Sequence, residues 1–246
     1  MIDEDLIIFF GKCGSGKSSL MVHFADEYVK GQGAGRWELS EQIIREMNVE
    51  RKTHLEYPED MPIYINRGFK DKLILKNRFG REVNTIPVIG QDIGINTEDD
   101  NGYKYFYPAS LFMIDEAHSE FKSKGENLPK GQRTFFNERR HARLKIMLAA
   151  PRAVLIHKDI RSSGAYGVEV CGMRKEYSRF GTLISSKWFC REFTDESDLE
   201  LYIKTDGNEG AYIETEYEHR GNIFALYNSF AFSKDFAPPE GKEFYK

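Results

Sequence analysis

Apolar positions fall in two patterns along the chain. Short runs of consecutive apolar residues recur: Leu6-Ile7-Ile8-Phe9-Phe10, Ile63-Tyr64-Ile65 and Leu111-Phe112-Met113-Ile114. A fourth, Leu144-Lys145-Ile146-Met147-Leu148-Ala149-Ala150, is broken by Pro151. Such runs suit strands buried on both faces. Between them the spacing turns helical. Leu20, Met21, Phe24 and Tyr28 share one face, and Gly31 stands where that helix would stop. Leu39, Ile43, Ile44 and Met47 predict a short amphipathic helix with Ser40 as a cap. Gln132 to Arg143 predicts a helix with Phe135, Phe136, Arg139, Arg140 and Arg143 on one side.

The stretches in between read less regularly. Glu50 to Asp60 is a solvated charged loop, and Lys70 to Arg81 is a basic hairpin or edge element. A short strand is expected around Ile86 to Ile95, and Asp99-Asp100-Asn101-Gly102 is a turn. Phe121 to Gly131 is polar and expected to be mobile. Further strands are expected at Val168 to Cys171, Gly181 to Ile184 and Trp188 to Phe193. Strands alternating with helices predict an α/β fold, a mostly parallel sheet flanked by helices. The expected division is residues 1–170 as the main domain and 171–246 as a small strand-rich C-terminal part.

Chemistry concentrates where the first strand meets the first helix. Gly11-Lys12-Cys13-Gly14-Ser15-Gly16-Lys17-Ser18 fits G-x-x-x-x-G-K-[ST], and Ser19 opens the helix behind it. A triphosphate needs many donors in a small volume. Glycines let successive backbone N–H groups point inward, and the helix N-terminus adds its free N–H groups and dipole. Lys17 is expected to reach the β- and γ-phosphates, and Ser18 to place a hydroxyl on Mg²⁺.

A second segment completes the set. Met113-Ile114-Asp115-Glu116 is an apolar strand end followed by two acids, the form of a Walker B segment. Asp115 would hold Mg²⁺ and Glu116 would polarise an attacking water. The long gap from the phosphate loop leaves room for an extra strand between the two, as in P-loop ATPases that carry a catalytic glutamate. Asp115-Glu116-Ala117-His118 also spells the helicase tetrad, but the chain is too short for a second motor domain. Arg139, Arg140 and Arg161 are candidates for a charge-stabilising arginine. For Arg161 the alternative is a salt bridge to Asp159 or Glu169.

Composition narrows the rest. The chain has 246 residues, 40% of them hydrophobic, ample for one packed core. Its formal net charge of −4 means that any nucleic-acid contact comes from a local patch or an assembled ring. The three cysteines, Cys13, Cys171 and Cys190, suit neither a zinc site nor a disulfide framework. No stretch approaches the roughly 18 apolar residues that span a bilayer. The acidic start runs straight into the first strand, so the expected location is cytoplasmic, at most peripheral to the inner face of a membrane.

The order of segments resembles the zonula occludens toxin (Zot) family, which includes the filamentous phage assembly ATPase and lies within the FtsK/HerA-like translocases. The resemblance rests on Gly11 to Ser18, Ile63-Tyr64-Ile65-Asn66, Met113-Ile114-Asp115-Glu116-Ala117, Arg140-His141, and Ile156-His157-Lys158-Asp159-Ile160-Arg161. Where the family carries a polar residue, often glutamine, this chain reads Ala149-Ala150-Pro151-Arg152. The resemblance implies an ATP- and Mg²⁺-dependent motor of a phage or mobile element, acting in virion assembly, export or DNA translocation. It implies a homo-oligomer, with a hexameric ring as the arrangement, and single-stranded DNA or assembly proteins as partners. Membrane contact would come only through a partner. Lys17, Glu116, Arg161 and Arg140 are the expected catalytic residues, Gly11 to Ser19 the nucleotide loop, and Ser18 and Asp115 the metal ligands. Two alternatives stand beside this reading: a nucleotide-gated scaffold without turnover, and a small-molecule or nucleotide kinase.

Overall fold

The first apolar run forms β1 (Leu6–Phe10), and its five side chains are all buried. Alternation divides them between two cores. Leu6, Ile8 and Phe10 face one, Ile7 and Phe9 the other. The helix that follows, α1 (Lys17–Gly31), covers the second face with Leu20, Met21, Phe24 and Tyr28. Full burial of such side chains contributes about 1.5–3 kcal/mol each, which outweighs the modest intrinsic preferences of any one segment. In the computed structural model the described residues are 4–31, 62–66, 73–77, 80–88, 110–121 and 127–226, with a few isolated positions between them. The helix expected around 39–47, the loop 50–60, the turn at 99–102 and the C-terminal tail lie wholly or mainly outside them.

The strands after α1 are β2 (Ile63–Ile65), β3 (Thr85–Pro87), β4 (Leu111–Ile114), β5 (Lys145–Ala150), β6 (Tyr166–Tyr177), β7 (Leu183–Phe193) and β8 (Ile213–Arg220). With β1 they form, among the described residues, one eight-stranded sheet in the order β3-β2-β4-β5-β1-β6-β7-β8. From β3 to β6 every pairing is parallel, and β5 lies between β1 and β4, with Phe10 opposite Ala150 and Ile114 opposite Leu148. The gap between the two motifs holds β2 and β3; the strand inserted between β1 and β4 in the sheet, β5, follows the second motif in sequence. The mostly parallel α/β architecture expected from the sequence is thus present.

β6 begins parallel to β1, with Ile7 opposite Tyr166 and Phe10 opposite Glu169. It then outruns β1 and pairs antiparallel with β7, with an irregularity between Val170 and Gly172. β8 continues the antiparallel pairing, and the sheet passes without a break across the boundary expected near residue 170. The two strands expected at 181–184 and 188–193 are one strand, β7.

Short helices complete the other face: α2 (Ala117–Glu120), α3 (Lys130–Glu138), α4 (Lys158–Arg161) and α5 (Glu196–Lys204). Phe135 and Phe136 of α3, Ile160 of α4 and Leu199 of α5 join the core that contains Leu6, Ile8 and Phe10. α3 stops at Glu138, five residues earlier than the sequence suggested. Residues 139–143 form turns, Arg143 takes a left-handed φ of 51°, and Leu144 N–H bonds back to Arg139 O to aim the chain into β5. Arg139, Arg140 and Arg143 therefore do not share a helical face. Among the described residues no helix is long and apolar enough to cross a membrane.

Candidate active site

The loop from Gly11 to Gly16 leaves the C-terminal end of β1 and enters α1 at Lys17. Its shape depends on glycine. Gly11, Gly14 and Gly16 have φ of 142°, 79° and 98°, a region that L side chains rarely adopt. At Gly11 an added Cβ would lie 2.4 Å from Val170 O, and at Gly16 2.8 Å from Trp188 Nε1. Trp188 is fully buried, and its Nε1 donates to Ser19 Oγ at 3.1 Å, while Ser19 Oγ donates to Gly16 O at 2.8 Å. A residue of β7 thus braces the start of α1 from beneath.

Lys17 folds over the loop. Its Nζ donates to Gly11 O at 2.9 Å and to Lys12 O at 3.0 Å. Ser15 Oγ is buried and has no hydrogen-bond partner among the described residues. A buried ammonium held by loop carbonyls, an unpartnered hydroxyl and a helix N-terminus make a donor set that fits a chain of phosphates. The first two loop residues also border an open cavity of about 450 Å³, lined in addition by Arg152, Glu169 and Tyr202.

The two motifs meet across the inserted strand. Ser18 Oγ donates to Asp115 Oδ2 at 2.7 Å. Asp115 Oδ1 accepts from Glu116 N–H at 3.0 Å. Burial pushes the Asp115 carboxyl above the usual carboxylate range; the Ser18 hydrogen bond opposes that shift and the neighbouring Glu116 charge adds to it. A hydroxyl and a carboxylate converging beside a phosphate cradle are the oxygen ligands that Mg²⁺ favours, and they fit it.

Asn66, just past β2, holds the backbone that carries this carboxylate. Its Nδ2 donates to Asp115 O at 2.6 Å, and Asp115 N–H donates to its Oδ1 at 3.1 Å. The sequence marked Asn66 only as a strand end. The available signal was its position at the end of the strand neighbouring the acidic one, which requires the strand order.

Glu116 takes a left-handed conformation, φ 49° and ψ 39°, and its side chain is 48% exposed. The strained turn after β4 thus lifts one acid into solvent while its neighbour stays buried. His118 Nδ1 lies 3.3 Å from Glu116 Oε2, near enough for an ion pair when the ring is protonated, though not aligned as a hydrogen bond.

The candidate arginines lie elsewhere. Arg161 is buried and engaged within its own chain: Nε to Glu200 Oε1 at 2.6 Å, Nη2 to Glu200 Oε2 at 3.3 Å and Nη1 to Ile156 O at 2.5 Å. Its partner is neither of the acids that the sequence offered. Asp159 pairs with Arg133, and Glu169 with Arg191. Arg139 is buried and donates to the carbonyls of Phe136, Ser163 and Gly164. Arg140 is largely exposed and holds Asp5 at 3.1 Å. Arg152, at the place where the family carries a polar residue, pairs with Asp206 at the surface.

A glycine loop between a strand and a helix, an acid pair on a strand one removed, and a strand inserted between them define the fold of a P-loop NTPase. Among solved structures, the chain is similar to the N-terminal domain of zonular occludens toxin from Neisseria meningitidis. The TM-score is 0.50 at 13% identity, over 91% of this chain and 98% of that one. It is also similar to B204, the genome-packaging NTPase of Sulfolobus turreted icosahedral virus 2. In complex with AMPPCP that protein gives a TM-score of 0.44 at 14% identity, over 90% of this chain and all of that one. In complex with ATP-gammaS it gives 0.41 at 16%, over 73% and 77%. No protein-family model and no curated protein matches the chain. At 13% identity the likeness to the zonular occludens toxin domain is one of fold.

Proposed function

We propose that the chain hydrolyses Mg²⁺·ATP and works as a motor of a phage or mobile element, in virion assembly, export or DNA translocation. The observation that carries this reading is the 2.7 Å hydrogen bond from Ser18 to Asp115, which joins the two halves of a phosphate and metal site. Lys17 would turn its ammonium from the loop carbonyls to phosphate oxygens, and the Gly11–Ser19 backbone would cradle them. Ser18 and Asp115 would hold Mg²⁺, which when bound neutralises charge on the phosphate oxygens. Glu116, exposed beside this point, would hold a water and accept its proton.

The arginine that completes such a site from a neighbouring copy is better assigned to Arg140 than to Arg161. The Arg140–Asp5 pair is solvent-exposed and so cheap to break, roughly 0–1 kcal/mol. Freeing Arg161 would strand Glu200 without its partner. A homo-oligomeric ring, with nucleic acid or assembly proteins as partners, follows from this reading and from the family resemblance.

The test is ATP hydrolysis with and without single-stranded and duplex DNA, beside Glu116→Gln. The expected result is DNA-stimulated turnover that Glu116→Gln removes while ATP binding persists. Binding without turnover in every condition would refute the motor and favour the scaffold reading. One observation leans that way: β5 ends at Ala149-Ala150, followed by Pro151, with no polar side chain there to sense a γ-phosphate.

A further inference from the structure

We propose that the turn joining β6 to β7 is a contact element for single-stranded nucleic acid. The turn is built to display one side chain. Ser178 N–H donates to Thr182 O at 2.7 Å, Gly181 N–H to Ser178 O at 3.0 Å, and Ser178 Oγ accepts from the N–H groups of Phe180 and Thr182. Gly181 supplies the φ of 77° that the turn requires. At its apex Phe180 is 95% exposed. Nothing in the fold needs a bare phenyl ring there, and holding it in water costs solubility.

Its surroundings say what it would meet. The exposed side chains beside it, Tyr177 and Ile184, add a second ring and one aliphatic group. Arg174, Lys175, Arg179 and Lys187 stand on the outer part of the hairpin, residues 174–187, where Glu176 is the one acid. Glu176 lies 3.8 Å from Lys187, and Lys175 stacks over the Phe224 ring at 4.2 Å. Arg174 and Arg179 are exposed with no ion-pair partner among the described residues. In a chain of net charge −4, this places cations and flat rings together at one end of the sheet. On β8, Glu218 stands opposite Lys187, while Glu216 and Glu214 sit further back, opposite Phe189 and Arg191. Aromatic faces for bases with cations for the backbone are the requirements of a sequence-tolerant single-strand site. A lipid surface would be met by a broader apolar footprint than these three side chains.

The hairpin also reaches back to the nucleotide. At its inner end Met173 and Trp188 are paired across the strands and both contact the phosphate loop, at Gly16 and Ser19. From Trp188 to the start of the turn at Leu183 is about 17 Å of strand. One rigid ribbon therefore links the loop to the displayed ring. The inference deepens the motor reading, and rests on it for the expectation of a polymer cargo.

The test is fluorescence anisotropy of labelled oligothymidylate, with an oligouridylate arm, across a salt series and with a non-hydrolysable ATP analogue present. Phe180→Ala should weaken binding about tenfold. Arg174→Glu with Arg179→Glu should weaken it further and flatten the slope of log affinity against log salt by about 1.4, two phosphate contacts' worth. ATP hydrolysis without nucleic acid should be unchanged in both variants, because none of these side chains touches the loop. Variants that bind like the parent, with the parent's salt slope, overturn the proposal. So does a parent that hydrolyses ATP yet binds neither oligonucleotide, or variants whose only losses are binding to anionic vesicles or self-association. A parent that binds the oligonucleotides through the hairpin but never turns over ATP would sink the motor reading and leave this one standing.

Discussion

Asn66 offers a sharp test of how the site is held. Its side chain makes two hydrogen bonds to the backbone of Asp115, at 2.6 and 3.1 Å, in a position where both residues are buried. Asn66→Ala leaves one N–H and one C=O of the Asp115 peptide without partners. Each orphaned buried group costs about 1–3 kcal/mol, so the pair should cost roughly 2–5 kcal/mol. For a chain of this size that is a fall in Tm on the order of 5–15 °C. Asn66→Asp is the informative companion. It keeps the acceptor for Asp115 N–H, loses the donor to Asp115 O and sets a second acid beside a buried carboxylate. It should be no milder than alanine at neutral pH. Thermal unfolding, followed with and without Mg²⁺ and a non-hydrolysable ATP analogue, reads both effects. If Asn66 positions the metal carboxylate, the stabilisation gained from nucleotide with Mg²⁺ should shrink in both variants, while that gained from nucleotide without Mg²⁺ should not. A Tm within a degree or two of the parent, or equal losses with and without Mg²⁺, would refute the reasoning.

Two further outcomes follow from groups around the site. Arg161→Met alone should destabilise by about 3–5 kcal/mol in urea titration, because Glu200 is left unpaired in a largely buried position, and Arg161→Met with Glu200→Met should recover most of it; a folded double variant that has lost only ATP hydrolysis would restore Arg161 as a trans-acting residue. His23 is held neutral by burial, then by the His219 charge, which lower its pKa from 6.5 to about 4, with Glu27 at 3.6 Å from its other nitrogen and Asp26 and Lys30 near His219. Below pH 6.5 the unfolded chain takes up a proton that the folded chain refuses, so stability should fall by about 3 kcal/mol between pH 6.5 and 4. In His23→Phe that part of the profile should flatten, and parallel profiles would count against the assignment.

The parts of this site that were legible in the sequence are those whose chemistry demands a particular residue at a particular spacing. The Gly11–Ser18 loop admits only glycine at its left-handed positions. The Asp115–Glu116 pair ends an apolar strand, and the distance between the motifs left room for further strands, which are β2 and β3. What stayed hidden depends on strand order. Asn66 is a common kind of residue at a strand end, and its role appears only when β2 is known to lie beside β4. Trp188 reads as one aromatic in a strand, and nothing local ties it to Ser19. α5 shows few apolar positions, with Leu199 its one fully buried side chain, so its helical period is faint even though Asp195 caps it. β8 reads Ile213-Glu214-Thr215-Glu216-Tyr217-Glu218-His219-Arg220, an edge strand whose acids discourage further pairing and also erase the hydrophobic alternation. The early end of α3 has the same origin. The pattern of Gln132 to Arg143 could continue as helix, but β5 must start at Lys145 in register with Leu111.

The placement of Trp188 changes what the antiparallel strands are for. Composition alone makes them an extension that a P-loop core could do without. Yet Gly16 has no room for a Cβ because the indole is there, and Ser19 shares its hydroxyl between the loop carbonyl and the indole N–H. The loop's last glycine is thus required twice, once by its φ of 98° and once by contact with a strand near the far edge of the sheet. Contacts of such sequence separation carry a high loop-closure cost and make folding slow. The phosphate cradle therefore depends on β7 being in place beneath it. A shift of the loop would bear directly on β7 through Trp188, as it would on Asp115 through Ser18.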